Sequence, residues 1–128
     1  MTDHPTYTWD HVHIRTPDVE AMATWFADML GAEIVRKPAM VIIELGGGRV
    51  FLAEATSDVH APPAIPYQGL EHIGLAVKDI DAVAASLKAK GVKFTTEPTT
   101  LRPGTRVCFI SGPLGISIEL LERDPKYT

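Results

Sequence analysis

The chain contains an internal repeat, and this feature constrains its fold more than any other. The segment from Asp10 to Val19 aligns without a gap on the segment from Glu71 to Ile80. In that alignment His11 matches His72. Because a sequence repeat of this length is normally one supersecondary unit present twice, the two halves of the chain are expected to fold alike.

Each copy of the repeat is followed by apolar residues at helical spacing. Asp18 and Asp79 precede these stretches, where a carboxylate accepts the free amide protons of a helix's first turn. Gly31 and Gly91 follow them, where a left-handed residue commonly ends a helix. The sequence therefore predicts one amphipathic helix in each half.

Three short segments rich in β-branched and aromatic residues follow each helix, and each half is predicted to be a β-α-β-β-β module. The glycines at 46–48 predict a hairpin, and Ser111–Gly115 is the counterpart. We expect one α+β domain over residues 1–128, with module one at about 8–58, a proline-rich connector at about 59–69 and module two at about 70–123. The predicted strands are Glu33–Arg36, Val41–Leu45, Val50–Ala55, Val92–Thr95, Thr105–Ile110 and Ile116–Leu121.

Composition excludes several classes of protein. The formal net charge of -4 lacks the basic footprint of a nucleic-acid-binding domain. No apolar run approaches the roughly 18 residues that span a bilayer, so membrane insertion is not expected. Cys108 is the single cysteine and can form no disulfide within the chain, which favours a reducing, cytoplasmic location.

His11, His72 and Glu119 are the candidate metal ligands. The two histidines hold equivalent positions in the repeat, and Glu119 stands between Ile118 and Leu120 in a predicted strand. A lone strand histidine is more often a hydrogen-bonded core residue, and Glu119 could instead face solvent. Two histidines and one carboxylate would suit a divalent Zn, Ni, Co, Mn or Fe ion with open coordination positions.

The chain resembles the vicinal oxygen chelate superfamily, which includes glyoxalase I, methylmalonyl-CoA epimerase, bleomycin resistance proteins and extradiol dioxygenases. The resemblance runs from Trp9 to Arg123 and is most specific in Asp10–Ile14, Glu71–Val77 and Gly115–Leu120. It implies paired β-α-β-β-β modules whose curved mixed sheet surrounds a metal-binding cleft. It also implies that His11, His72 and Glu119 are metal ligands.

By the same comparison, this chain lacks the fourth metal ligand of the superfamily. Aligning Gly48–Leu52 with Gly115–Glu119 puts Leu52, which cannot ligate, at that position. Glu54 shares the strand face of Leu52 and is a candidate replacement or catalytic base, the alternative being a solvated carboxylate. His13 shares the face of His11 and is a candidate ligand, general base or partner of a ligand.

The resemblance also implies substrate-binding residues. Arg15 matches an arginine that binds a substrate carboxylate in glyoxalase I, the alternative being a structural ion pair. Phe109 stands where extradiol dioxygenases carry a catalytic tyrosine, and Thr56 replaces a substrate-binding asparagine of glyoxalase I.

The leading hypothesis is a metal-dependent lyase or isomerase of glyoxalase or epimerase type, acting as a homodimer on a small anionic carbonyl or hydroxy-acid substrate. The alternatives are an Fe(II) extradiol-type dioxygenase and a metal-free protein that binds small molecules such as antibiotics.

Overall fold

The computed structural model describes residues 5–127, apart from the side chain at 127. The chain divides into two compact units, Met1–Ser57 and Asp58–Thr128. Residues 55–71 contain no helix or strand. Among the described residues, no helix is long and apolar enough to cross a membrane.

Unit one is a four-stranded mixed sheet with one helix. Its strand order is β1-β4-β3-β2, with β1 parallel to β4 and the other pairs antiparallel. The elements are β1 (Val12–Thr16), α1 (Val19–Leu30), β2 (Glu33–Lys37), β3 (Met40–Leu45) and β4 (Gly48–Glu54).

Unit two repeats this topology, with the order β5-β8-β7-β6 and β5 parallel to β8. The elements are β5 (His72–Ala76), α2 (Ile80–Ala89), β6 (Lys93–Arg102), β7 (Thr105–Ser111) and β8 (Ser117–Arg123), with 3-10 turns at Pro113–Gly115 and Pro125–Tyr127. The predicted α+β class with two tandem β-α-β-β-β modules is confirmed.

The helix boundaries follow from the capping residues. The Asp18 carboxylate accepts a hydrogen bond from the Ala21 amide at 3.0 Å, and Asp79 does the same for the Ala82 amide at 3.1 Å. Gly31 ends α1 with a φ of 71°, a left-handed conformation that favours glycine. Each such carboxylate cap stabilises its helix by about 1 kcal/mol.

Each helix covers one face of its own sheet, and apolar side chains fill the space between. Burying each of the larger side chains stabilises the fold by about 1.5–3 kcal/mol. The opposite face of each sheet, turned away from its own helix, is called the far face below. The largest fully buried side chains are those of Met22, Phe26, Ile43 and Leu52 in unit one and of Ile80, Cys108, Ile110, Ile118 and Leu120 in unit two.

Strand β6 is longer than predicted, since it continues past Thr95 to Arg102. Pro98 lies within it and cannot donate a ladder hydrogen bond. The register of β6 with β7 shifts between Thr96 and Thr99, and β6 is an edge strand. Edge strands and bulges are the places where a sheet tolerates proline, so the prediction ended the strand too early.

Candidate functional site

The far face of unit two brings His72 and Glu119 together. His72 begins β5, and Glu119 lies in the middle of the adjacent parallel strand β8. The neighbours of Glu119 along the strand, Ile118 and Leu120, are 0% and 1% exposed on the helix side. Because side chains alternate along a strand, Glu119 points away from that core.

The spacing of the two side chains suits a shared metal ion. Nε2 of His72 lies 3.4 Å from Oε1 of Glu119, which is longer than a typical hydrogen bond. Two ligand atoms bound at about 2.0–2.1 Å to one tetrahedral zinc ion are about 3.3–3.4 Å apart. The imidazole and the carboxylate are 35% and 20% exposed, so a small ligand can reach both. The pair therefore fits a divalent metal.

Phe109 and Gly74 border this pair. Both are register partners of Glu119, Phe109 on β7 and Gly74 on β5. The Phe109 ring meets the His72 ring edge to face, with their centroids 5.2 Å apart. A Cβ at Gly74 would lie 3.7 Å from Oε1 of Glu119, so the glycine leaves space beside the carboxylate.

Unit one presents His11, His13 and Arg15 on its far face. Along β1 the exposed His13 and Arg15 alternate with the half-buried Val12 and Ile14. Cross-strand register supports this, because His13 pairs with Phe51 of β4 and Arg15 pairs with the residue two further along. The predicted common face is therefore observed, and within the described residues Arg15 has no ion-pair partner.

His11 contacts two neighbours, and a third residue holds one of them. Its ring stacks on Phe51 with centroids 3.8 Å apart and planes 10° from parallel. Nδ1 lies 2.6 Å from Oδ2 of Asp10, whose other oxygen accepts a hydrogen bond from Arg49 at 2.8 Å. The hydrogen bond to His11 and the charge of Arg49 lower the pKa of the Asp10 carboxyl below its ordinary value.

The strand register corrects the position assigned to the missing fourth ligand. Gly74 pairs with Glu119, and His13, its equivalent in the repeat, pairs with Phe51. The counterpart of Glu119 is therefore Phe51, whereas Leu52 is 1% exposed in the core. The sequence alignment was wrong by one residue because the two hairpins differ. β3 and β4 are joined by two glycines, but β7 and β8 are joined by a longer turn.

Glu54 is not brought to the face of His11. It pairs with Thr16, which is 3% exposed, and it shares the strand face of Leu52. That face is the one covered by α1. Glu54 itself is exposed at the end of β4.

Within residues 5–127 no group of three His, Cys, Asp or Glu side chains is arranged to hold a metal ion. His72 and Glu119 form a pair, and among the described residues no third such side chain joins them. A separate groove of about 600 Å³ at the β3–β4 hairpin is lined by Glu33, Glu44 and Arg49, among others. It includes none of the predicted site residues.

Sequence reasoning missed Asp10, Glu71, Arg49 and Phe51 as neighbours of the site histidines. Glu71 contacts His72 as Asp10 contacts His11, with Oε1 3.1 Å from Nδ1. The sequence contains a signal for Asp10 and Glu71, because an acidic residue directly precedes the histidine in both copies of the repeat. The positions of Arg49 and Phe51 beside His11 and Asp10 depend on strand pairing, which no sequence pattern indicates.

A family model described as the glyoxalase/bleomycin resistance protein/dioxygenase superfamily matches residues 8–120. The chain belongs to this superfamily. The match spans both modules and both site histidines.

Curated relatives in the superfamily are named as lactoylglutathione lyases. A probable chloroplastic lactoylglutathione lyase from Arabidopsis thaliana is 32% identical over 126 residues, which cover 90% of this chain and 35% of the relative. A probable lactoylglutathione lyase from Synechocystis is 28% identical, covering 91% of this chain and 95% of that protein. The chain thus spans about a third of the plant relative and nearly all of the cyanobacterial one.

Solved structures of superfamily members share the fold. A glyoxalase family protein from Bacillus cereus superposes with a TM-score of 0.76 at 19% identity, covering 96% of this chain and 98% of that one. The fosfomycin resistance protein FosX from Listeria monocytogenes gives a TM-score of 0.74 at 14% identity, covering 95% and 98%. At these identities the likeness concerns the fold alone.

Proposed function

We propose that this chain is a metal-dependent lyase or isomerase of the superfamily, acting on a small carbonyl or hydroxy-acid substrate. The observation that carries the proposal is the 3.4 Å separation between Nε2 of His72 and Oε1 of Glu119. The likeness to lactoylglutathione lyases supports the reaction class.

The proposed ligands are His72, Glu119 and His11. His11 is included because it holds in the first repeat the position that His72 holds in the second. Imidazole and carboxylate ligands suit Zn, Ni, Co, Mn or Fe in the divalent state. A metal bound there would polarise a substrate carbonyl and so lower the pKa of the neighbouring C–H bond.

The remaining roles are assigned to far-face residues. His13, exposed beside Phe51, is proposed to take and return a substrate proton, with the carboxylate of Glu119 as the alternative group. Arg15 is proposed to bind an anionic group of the substrate, since a guanidinium makes two parallel hydrogen bonds to a carboxylate. The Phe109 ring is proposed to pack against the apolar part of the substrate. Glu54 is left out because it lies on the helix side.

Metal binding tests the first half of the proposal. Protein purified without a histidine tag is titrated with zinc in a calorimeter, and His72→Ala and Glu119→Gln are compared with His60→Ala and Glu97→Gln. The control residues His60 and Glu97 are exposed and have no part in the site. We expect the two site variants to lose stoichiometric zinc and the controls to keep it. Equal zinc binding by all five proteins would refute the ligand assignment.

Turnover tests the second half. The metal-loaded protein is given the hemithioacetal of methylglyoxal and glutathione, and separately that of methylglyoxal and 2-mercaptoethanol. Isomerisation moves one proton between adjacent carbons and yields a thioester, so no oxidant is needed. Thioester formation that His13→Ala suppresses supports the proposal, and no turnover of either adduct with any of the five metals contradicts it.

A dioxygenase is the second candidate, and Phe51 is the observation that favours it. With Phe51 in place of a fourth ligand, the set becomes two histidines and one carboxylate, which is typical of non-haem Fe(II) oxygenases. Phe109, which has no acidic proton, weighs against ring cleavage. Oxygen uptake with Fe(II) and a catechol, in the absence of thioester formation, would favour this candidate.

We also propose that the protein is a cytoplasmic homodimer. The strands β1, β2, β5 and β6 lie at sheet edges, and uncovered edges favour association. Light scattering at micromolar concentration should give twice the chain mass of 13.9 kDa. A mass of one chain would contradict the dimer.

A further inference from the structure

Both repeats place a carboxylate directly before the site histidine and in contact with its Nδ1 atom. Asp10 Oδ2 lies 2.6 Å from Nδ1 of His11, and Glu71 Oε1 lies 3.1 Å from Nδ1 of His72. Successive side chains of a strand point to opposite faces, so contact between sequence neighbours is not the default. It arises here because Asp10 and Glu71 lie just before β1 and β5.

We propose that Asp10 and Glu71 are positioning residues that hold each histidine with its proton on Nδ1 and its Nε2 lone pair free for a metal. This inference rests on the proposed function for its purpose, although the tautomer itself is a property of the metal-free protein. An ionised carboxylate only accepts hydrogen bonds, so the Nδ1 atom facing it has to be the donor. A neutral imidazole then has its acceptor at Nε2.

The geometry of unit two shows why the tautomer matters. Nε2 of His72 faces Oε1 of Glu119 at 3.4 Å. If the proton were on Nε2, it would point at Oε1 of Glu119. Nε2 would then have no lone pair for a metal, and Oε1 would be engaged by the proton. With the proton on Nδ1 and donated to Glu71, the lone pair of Nε2 and the oxygen of Glu119 both remain available to a cation. Carboxylates that bond the second nitrogen of a metal-binding histidine act in this way.

The carboxylate of Asp10 and the backbone of Glu71 each accept a further hydrogen bond. Arg49 donates to Asp10 at 2.8 Å, and its guanidinium carbon lies 5.7 Å from the centre of the Phe51 ring on which His11 stacks. In unit two the Tyr67 hydroxyl donates to the backbone before His72, with its oxygen 3.1 Å from the carbonyl oxygen of Leu70 and 3.3 Å from that of Glu71. The residue before each histidine is therefore held by a second contact, through its carboxylate in unit one and through its backbone in unit two.

Nitrogen NMR of the histidine rings tests the proposal without metal or substrate. In metal-free protein, at a pH at which both imidazoles are neutral, His11 and His72 should show the Nδ1–H tautomer. Glu71→Ala should move His72 to the Nε2–H tautomer, because Glu119 then offers the nearest acceptor. Glu71→Gln keeps an acceptor oxygen and should restore the Nδ1–H form. Glu97→Ala removes a carboxylate elsewhere and should leave both rings unchanged.

Unit one gives a second, independent comparison. Asp10→Ala should move His11 away from the Nδ1–H form, whereas Arg49→Met retains the carboxylate oxygen that contacts Nδ1 of His11 and should preserve that form. If the wild-type rings already have the proton on Nε2, or if both alanine variants keep the Nδ1–H tautomer, the proposal is overturned.

Zinc affinity provides the functional readout. Loss of such a partner typically weakens metal binding by about 10- to 100-fold, so Glu71→Ala and Asp10→Ala should each show a loss of that size in a zinc titration, and Glu71→Gln a smaller one. Wild-type protein that binds no zinc would contradict the proposed function, but the ring tautomers would still decide this inference. Undiminished zinc affinity in both alanine variants would refute the positioning role.

Discussion

Gly74→Ala is a substitution that separates fold stability from site chemistry. The added Cβ would lie 3.7 Å from Oε1 of Glu119 and 3.8 Å from Cδ2 of Leu121, both ordinary van der Waals distances. Alanine therefore fits without moving the carboxylate. Because alanine has fewer unfolded conformations than glycine, the free energy of unfolding should rise by about 0.4–1 kcal/mol.

Gly74→His is the matched opposite change, since histidine is the residue that the first repeat carries at the equivalent position. His13 lies opposite Phe51, and an imidazole at position 74 would lie in the same way opposite Glu119. It would fill the space that the glycine leaves beside the carboxylate. Because a neutral imidazole is itself a zinc ligand, it would supply a third donor beside His72 and Glu119, and zinc affinity should then rise by about 10-fold or more.

Thermal unfolding of the metal-free proteins and zinc calorimetry measure the two effects. For a chain of this size the expected rise in the unfolding free energy of Gly74→Ala corresponds to an increase in Tm of about 2–5 °C. The zinc affinity of Gly74→Ala should stay close to that of the wild type. Destabilisation by Gly74→Ala, or wild-type zinc affinity in Gly74→His, would refute this description of the space beside Glu119.

Three further predictions concern single side chains. Arg15→Met should raise KM for the glutathione hemithioacetal by about 10- to 100-fold and leave KM for the 2-mercaptoethanol adduct unchanged, and equal effects on both would remove the anion-binding role. Burial raises the pKa of the Cys108 thiol, so Ellman's reagent should label it only on unfolding, and rapid labelling of native protein would contradict its placement. The hydrogen bond from Arg36 lowers the pKa of Glu20, so this pair stabilises the fold above the carboxyl's ordinary pKa and loses its effect as pH falls through the lowered value. Arg36→Met should therefore differ from wild type in unfolding free energy at neutral pH but not in strong acid, and an equal difference at both would contradict the pairing.

The fold was predictable because its signals are local. The caps at Asp18 and Asp79 and the glycines of the β3–β4 hairpin each specify structure within a few residues, and the aligned histidines show that the same pattern occurs twice. Gly46 and Gly47 adopt φ values of 59° and 84°, as a two-residue hairpin turn requires.

The composition of the site was less predictable because it depends on pairing between strands. One additional residue in a turn moves every following side chain to the other face, which is why Leu52 was assigned the position that Phe51 holds. The contact of Arg49 with Asp10 joins residues 39 positions apart, and no local pattern indicates it. Strand alternation was nevertheless sufficient to place His13 and Arg15 on one face.

Anomalous diffraction from a crystal grown with zinc is the most direct test of the central claim, which is that His72 and Glu119 hold a metal. An anomalous peak about 2.0–2.2 Å from both Nε2 of His72 and a carboxylate oxygen of Glu119 is the predicted result. A strong peak elsewhere, such as the groove between Glu33 and Glu44, with none at His72, would contradict it.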